Sequence, residues 1–172
     1  MHFFVEPHIR GGFSQISNRY ARANNKYVSN YDPTKPTSFI MCEDAISLYA
    51  GVMRMKLPLD EYSFVDIKDF DTKDKIMNLV DNGYYGYAIL ITADYPQHLH
   101  DSHSDFPVMP ENKSLSSKML SEYQKHKMSQ LNIPCDNTKK LIADFTRKEK
   151  YLVHYRRLKL LYMLGIEVVE VH

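Results

Sequence analysis

The residues best placed to do chemistry are Asp44-Ala45-Ile46-Ser47-Leu48-Tyr49, which follow an apolar run, Phe39-Ile40-Met41-Cys42. A carboxylate where a strand hands over to a helix is well positioned to hold a metal. The strand buries its backbone, yet its last side chain can project into a cleft. The amides that follow enter a helix with their N–H groups pointing outward, where phosphates dock. One short segment thus offers a Mg²⁺ ligand and a phosphate cradle together. An Asp before an apolar helix is also the pattern of a plain N-cap, and the local sequence leaves both readings open.

Other groups could act as well. His98, His100, His103, Asp101 and Asp105 crowd one stretch, a density that could bind Zn²⁺. Its spacing is not that of a zinc finger, and the alternative is a loop hydrogen-bonded by its own side chains. Lys148, Lys150, His154, Arg156, Arg157 and Lys159 follow one another near the C-terminal end. They read either as a phosphate-contacting face or as a solvated helix with cations toward its C-terminus. Glu43 lies beside Asp44, but strand alternation points it to the opposite face. No Gly-x-Ser-x-Gly elbow, Cys-His arrangement, or Walker or Rossmann glycine loop is visible.

The elements that must position these residues follow from pattern. Residues 8–36 are polar and turn-rich, with Gly11-Gly12, Asn24-Asn25 and Asp32-Pro33 as turn signals. A short helix over Phe13 to Arg22, capped by Ser14, fits between them. Ser38 to Glu43 reads as a buried strand. Ala45 to Met55 reads as a helix with Ile46, Tyr49, Val52 and Met53 on one face, stopped by Leu57-Pro58. Tyr62 to Phe70 alternates like a strand, Thr72 to Val80 reads as a short helix, and Asp81-Asn82-Gly83 as a turn. Tyr84 to Ala93 is the strongest strand signal. Pro96 to Asn112 reads as loop, and Ser114 to Met128 as a helix with a weak apolar face. Lys140 to Phe145 reads as a strand. Arg147 to Leu164 is expected to be a helix, with Tyr151, Tyr155, Leu158 and Tyr162 at helical spacing. Gly165 closes it, and Ile166 to Val171 forms a last strand.

Size and composition bound the rest. The 172 residues suffice for one domain with a core, and 44% hydrophobic with 25% charged residues is ordinary globular composition. A net charge of +1 gives no global pull toward nucleic acid. Cys42 and Cys135 are too few for a disulfide framework and read as reduced, in an intracellular protein. No apolar stretch reaches membrane-spanning length, so no membrane partner is expected. The last strand runs almost to the final residue, and the chain begins close to its first functional-looking loop. Both ends read as cut, as in a piece of something longer.

The segments taken in order carry a resemblance. Asp44-x-x-Ser47-Leu48-Tyr49 resembles motif A of family B DNA polymerases. Upstream, Ile9-Arg10-Gly11-Gly12-Phe13-Ser14 resembles the Tyr-x-Gly-Gly segment linking the exonuclease and polymerase halves of the protein-primed members. Arg19-Tyr20-Ala21-x-Ala23-Asn24-Asn25, Tyr31-Asp32-Pro33, Tyr95-Pro96-Gln97-His98-Leu99-His100-Asp101 and Lys150-Tyr151-x-Val153-His154-Tyr155-Arg156 match as well. Together they look like the polymerases of Polinton-type (Maverick) elements and their viral and organellar-plasmid relatives. Ile9 stands where the family has an aromatic residue, and Ala50 where phage members have Pro.

The resemblance implies an α+β fold, a partial polymerase palm of antiparallel sheet backed by helices. Residues 1–37 would be a template-binding loop segment and 38–61 the motif A strand and helix. Residues 62–145 would be an inserted region and 146–172 a palm helix and strand. Asp44 would be a catalytic metal ligand for Mg²⁺, helped by the Ala45 carbonyl. Ser47 and Leu48 would offer amides to the dNTP phosphates, and Tyr49 would pack under the incoming sugar. Arg10, Gly11 and Gly12 would touch the DNA template strand, and a priming protein is a further implied partner. The sequence holds no finger-helix motif, no Asp-Thr-Asp turn and no exonuclease region. The expectation is therefore a fragment of a DNA-directed DNA polymerase that is inactive alone. The alternative is an element-derived module that binds nucleic acid or protein without catalysis.

Overall fold

Ile89-Leu90-Ile91-Thr92, a stretch rich in β-branched residues, lies in the central strand of the main sheet. The computed structural model describes residues 1–18, 20–56, 58–134 and 138–172. The expectations that fall on Arg19, Leu57 and Cys135 lie outside these residues. The chain divides into two units, Met1–Gln15 with Glu61–His172, and Ile16–Asp60.

In the larger unit, helix α1 (His2–Val5) opens the chain, and α3 (Lys73–Met77) and β1 (Ala88–Asp94) follow residue 61. Then come β2 (Glu111–Ser114), α4 (Glu122–Gln130), β3 (Lys139–Ile142), β4 (Lys148–His154), α5 (Tyr155–Met163) and β5 (Glu167–Val171). Helix α2 (Leu48–Met53) belongs to the smaller unit. The sheet order is β4-β1-β5, antiparallel throughout, and β2 and β3 form a separate antiparallel pair. The architecture is mixed α and β with small antiparallel sheets. β1, from the 62–145 stretch, pairs with β4 and β5 from 146–172, so these two stretches share one sheet.

A central strand must bury both faces, and Ile89, Ile91, Thr92 and Ala93 are all buried. Helix α5 lays Tyr155, Leu158 and Leu161 on the core, and α3 adds Ile76. Thr72 caps α3, its hydroxyl accepting from the Lys75 amide. Gly165 takes φ +87 after α5, a conformation that favours glycine, and a Cβ there would also press on the Leu99 side chain at 3.2 Å. Both outer strands bulge beside the same place. Ile91 pairs with Tyr151 but Ala93 with Lys148, which leaves one extra residue in β4, where Lys150 has φ 48. Thr92 pairs with Glu170 but Ala93 with Val168, which leaves one extra in β5.

Several expectations are corrected. Residues 148–154 are strand, not the first half of a helix: the helical spacing of Tyr151 and Tyr155 is real, but Tyr151-Leu152-Val153 gain more by pairing with β1. Helix α5 begins only at Tyr155, whose amide donates to Tyr87 O at 2.9 Å. Residues 62–70 form no strand, only a single 3₁₀ turn at Ile67–Asp69. Phe13 to Arg22 is not helical among the described residues. The 96–112 loop holds a 3₁₀ turn at Gln97–Leu99 and ends in β2. The helix expected from Ser114 starts at Glu122, behind a capping box of Ser121 and Gln124, and buries nothing, as its weak apolar face implied.

Lys148 is the exceptional core residue, 1% exposed. Its Nζ lies 2.8 Å from Glu111 Oε1 on β2 and 2.5 Å from Asp144 Oδ1 just past β3. Lys113 completes the group, 2.9 Å from Glu111 Oε1 and 2.5 Å from Asp144 Oδ2. Asp144 Oδ2 has no aligned hydrogen bond and is held by charge alone. Burial pushes the Asp144 carboxyl up, but Lys113, Lys148 and the Thr146 hydroxyl outweigh it and hold it well below the ordinary carboxylate range. Glu111 is likewise lowered, with Lys148 and Lys113 outweighing burial.

Both carboxylates are depressed in the fold, so their contribution is present above their ordinary values of 3.8 and 4.5 and is lost as pH falls below that window. Lys148→Ala would leave two partly buried carboxylates sharing one ammonium. A loss of about 3–5 kcal/mol in urea-unfolding free energy is expected, with the acid-unfolding midpoint moving to higher pH. Unchanged stability would refute this role for Lys148.

Candidate functional site

Asp44 lies in the Ile16–Asp60 unit, where a single side chain organises the preceding loop. Asn24 Nδ2 donates toward Asp32 O (3.0 Å), Pro36 O (3.1 Å) and Lys35 O (3.3 Å), and Asn24 Oδ1 accepts from the Asp32 amide at 2.8 Å. Backbone bonds between Asn24 and Ser38 close the ring. Asn25, buried, donates to Ser38 O at 3.0 Å. Two residues that the sequence marks only as turn formers thus fasten residues 24–38.

Beyond Ser38 the expected buried strand is absent. Residues 39–44 have no regular structure, and Phe39, Ile40 and Met41 are 63%, 62% and 76% exposed. An apolar run makes a strand only when a neighbour takes up its amides, and pairing here ends at Ser38. Cys42 is correspondingly a free, exposed thiol rather than a core residue. Glu43 sits in irregular chain, where strand alternation does not apply. The helix begins at Leu48, three residues later than expected from Ala45. Ser47 precedes it with φ 55 and ψ 41, and its side chain makes no capping bond. Its hydroxyl and the first-turn amides of Leu48 and Tyr49 are therefore left without intrahelical partners.

Asp44, Ala45, Ser47, Leu48 and Tyr49 are all exposed, and Ile46, Val52 and Met53 cover no core. The segment places a carboxylate, a hydroxyl and outward amides within a few residues of one another. Among the described residues, no group of three or more His, Cys, Asp or Glu is placed to hold a metal. Glu43 is the carboxylate next to Asp44 in sequence, and both are exposed.

Arg10, Gly11 and Gly12 lie in the other unit. The Arg10 guanidinium stacks over the Tyr151 ring, 3.9 Å from its centroid, and donates to Leu152 O. Asn112 Nδ2 donates to Ile9 O at 3.3 Å and pins the same stretch. Burial raises the Tyr151 hydroxyl's pKa, with Arg10 opposing. Gly11 and Gly12 lie in open space: a Cβ on either would meet nothing within 4 Å. A pocket of about 200 Å³ beside Arg10 is shared with His8, Asn112, Lys150 and Tyr151. Lys150 was legible as part of a cationic run and of the family-like segment Lys150-Tyr151-x-Val153-His154-Tyr155-Arg156, but not as a pocket residue. The β-prone run Tyr151-Leu152-Val153 was the available signal for a strand.

The expected cationic face dissolves into separate tasks. Lys148 is buried in its ion-pair group, Lys159 pairs with Asp81 at 2.7 Å, and Arg157 Nη2 donates to Val108 O at 2.9 Å. In the histidine-rich loop, His100 stacks on Phe145 with centroids 4.3 Å apart, and its Nε2 lies 3.2 Å from Tyr95 O. His103 Nδ1 lies 2.6 Å from the Tyr95 hydroxyl. The loop is thus bonded by its own side chains. No described helix is long and apolar enough to cross a membrane.

Comparison with family models, curated proteins and solved structures finds no match.

The exposure of Cys42 separates the observed loop from the expected strand. Native alkylation mapped to Cys42 should proceed at the rate of a free thiol without denaturant. Protection that vanishes only on unfolding would restore the buried strand.

Proposed function

We propose that this chain is a piece of a protein-primed family B DNA polymerase, comprising the template-contacting segment and motif A of a palm. The observation that carries the reading is Asp44-x-x-Ser47-Leu48-Tyr49 at a loop-to-helix entry, flanked in order by the other family-like segments. Ser47 supports it, since a residue that spends its hydroxyl on no cap leaves it, and the following amides, for a triphosphate. In this reading Asp44 is a metal carboxylate, Tyr49 backs the incoming sugar, and Arg10 with Gly11 and Gly12 meets the template.

The residues described here supply one such carboxylate, so no chemical step is assigned to them alone. Mg²⁺, in the complete enzyme, would neutralise the triphosphate and activate the primer hydroxyl. A second reading is a non-catalytic module that binds nucleic acid or a protein; it is favoured because, among the described residues, no group of three or more His, Cys, Asp or Glu is placed to hold a metal.

Purified chain supplied with primed template, dNTPs and Mg²⁺ is expected to incorporate nothing. Incorporation that Asp44→Asn abolishes would overturn the view that the chain is inactive alone. Binding to single-stranded DNA should weaken as salt rises and weaken further in Arg10→Ala. Absence of binding at low salt would remove the template-contact role.

A further inference from the structure

We propose that the pocket between Arg10 and Lys150 binds a phosphate group carrying two negative charges. Two cations and two carboxylates line it, and the carboxylates have other partners. Glu111 is engaged by Lys113 and Lys148, and Glu149 by Arg147 at 2.7 Å, a cation it shares with Asp94 at 3.2 Å. The Arg10 guanidinium has a ring and a carbonyl as partners but no carboxylate. Lys150 has no ion-pair partner among the described residues. The two acids of the pocket thus have cationic partners outside it, whereas Arg10 and Lys150 have no carboxylate partner among the described residues.

The backbone points the same way. Lys150 occupies the bulge of β4 at φ 48, a conformation that suits glycine and costs a lysine free energy. A bulge re-aims side chains, and here it leaves Lys150 lining a pocket while Lys148, two residues earlier, is buried. Arg10 is held in place by stacking on Tyr151, and Asn112 anchors its neighbour Ile9. Little ordering of Arg10 therefore remains to be done on binding. Burial, and then the positive field of Arg10, lower the pKa of His8 in the same pocket, so His8 is a built-in reporter. Two unpaired cations match a dianion, which a phosphate monoester supplies near neutral pH and a carboxylate does not. About 200 Å³ leaves room for part of the molecule that carries the phosphate. The site does not depend on the polymerase reading, since inorganic phosphate alone would occupy it.

Titration of the isotope-labelled chain with inorganic phosphate at low salt tests this. Saturable shifts are expected at the Lys150 and Tyr151 amides, and the His8 titration midpoint should rise as the bound anion offsets Arg10. Lys150→Gly removes the amine while supplying the residue that φ 48 favours, so the fold is kept and affinity should fall about tenfold. Displacement of phosphate by a nucleoside monophosphate would assign the phosphate to a nucleotide. Failure to displace it would assign a free or smaller phosphate, with the site intact in either case. No saturable shift at millimolar phosphate, or equal affinity in Lys150→Gly, would overturn the proposal whatever the outcome with DNA.

Discussion

An ammonium group sealed inside the protein sets the terms for the rest of the larger unit. Lys148 cannot remain charged at 1% exposure unless partners come to it. Those partners, Glu111 and Asp144, stand at the start of β2 and just after β3. The β2–β3 pair shares no strand with the main sheet, so this charge group, rather than backbone pairing, links it to β4. Lys113 balances the second carboxylate, and the group is neutral as a whole. The geometry is demanding, because each ion left alone there would cost several kcal/mol.

That linkage also determines what the N-terminal stretch can rest on. Asn112 on β2 holds Ile9, and Tyr151 with Leu152 on β4 holds Arg10. The two holding elements are the ones joined through Lys148. The Arg10–Lys150 pocket is thus a seam between the β2–β3 pair, a sheet edge and a docked segment, with the Lys148 charge group joining the first two. The Ile16–Asp60 unit is built on a different principle, with one asparagine side chain replacing a core.

Much of the larger unit was legible, for reasons that lie in single residues. Ile89, Ile91 and Thr92 announce a strand because β-branched residues suit a pleated, doubly covered surface. Thr72 and Gly165 announce helix boundaries through local hydrogen bonding and backbone freedom. Residues 148–154 were misread because Tyr151, Tyr155 and Leu158 satisfy helical spacing, and only a partner strand some sixty residues earlier decides the matter. The run from Phe39 to Cys42 failed the opposite way: its composition suits a strand, but no neighbour pairs with it. For the candidate sites, Arg10 was visible as a charge and Asp44 as a carboxylate. The stack of Arg10 on Tyr151 joins residues far apart in the chain, and no local pattern records it. The burial of Lys148 was equally hidden, since a lysine among Arg147, Glu149 and Lys150 looks like surface.

The paired bulges beside Thr92 and Ala93 have a consequence for growth of the sheet. A regular outer strand offers an unbroken row of amides and carbonyls on which a further chain can template itself. Here each outer strand loses its regular repeat at the same level, and Glu149, Lys150, Glu167 and Glu170 add charge along both. An arriving strand would find register for only a few residues on either side. The bulges and the charges therefore work against strand-by-strand addition of identical chains at both outer strands.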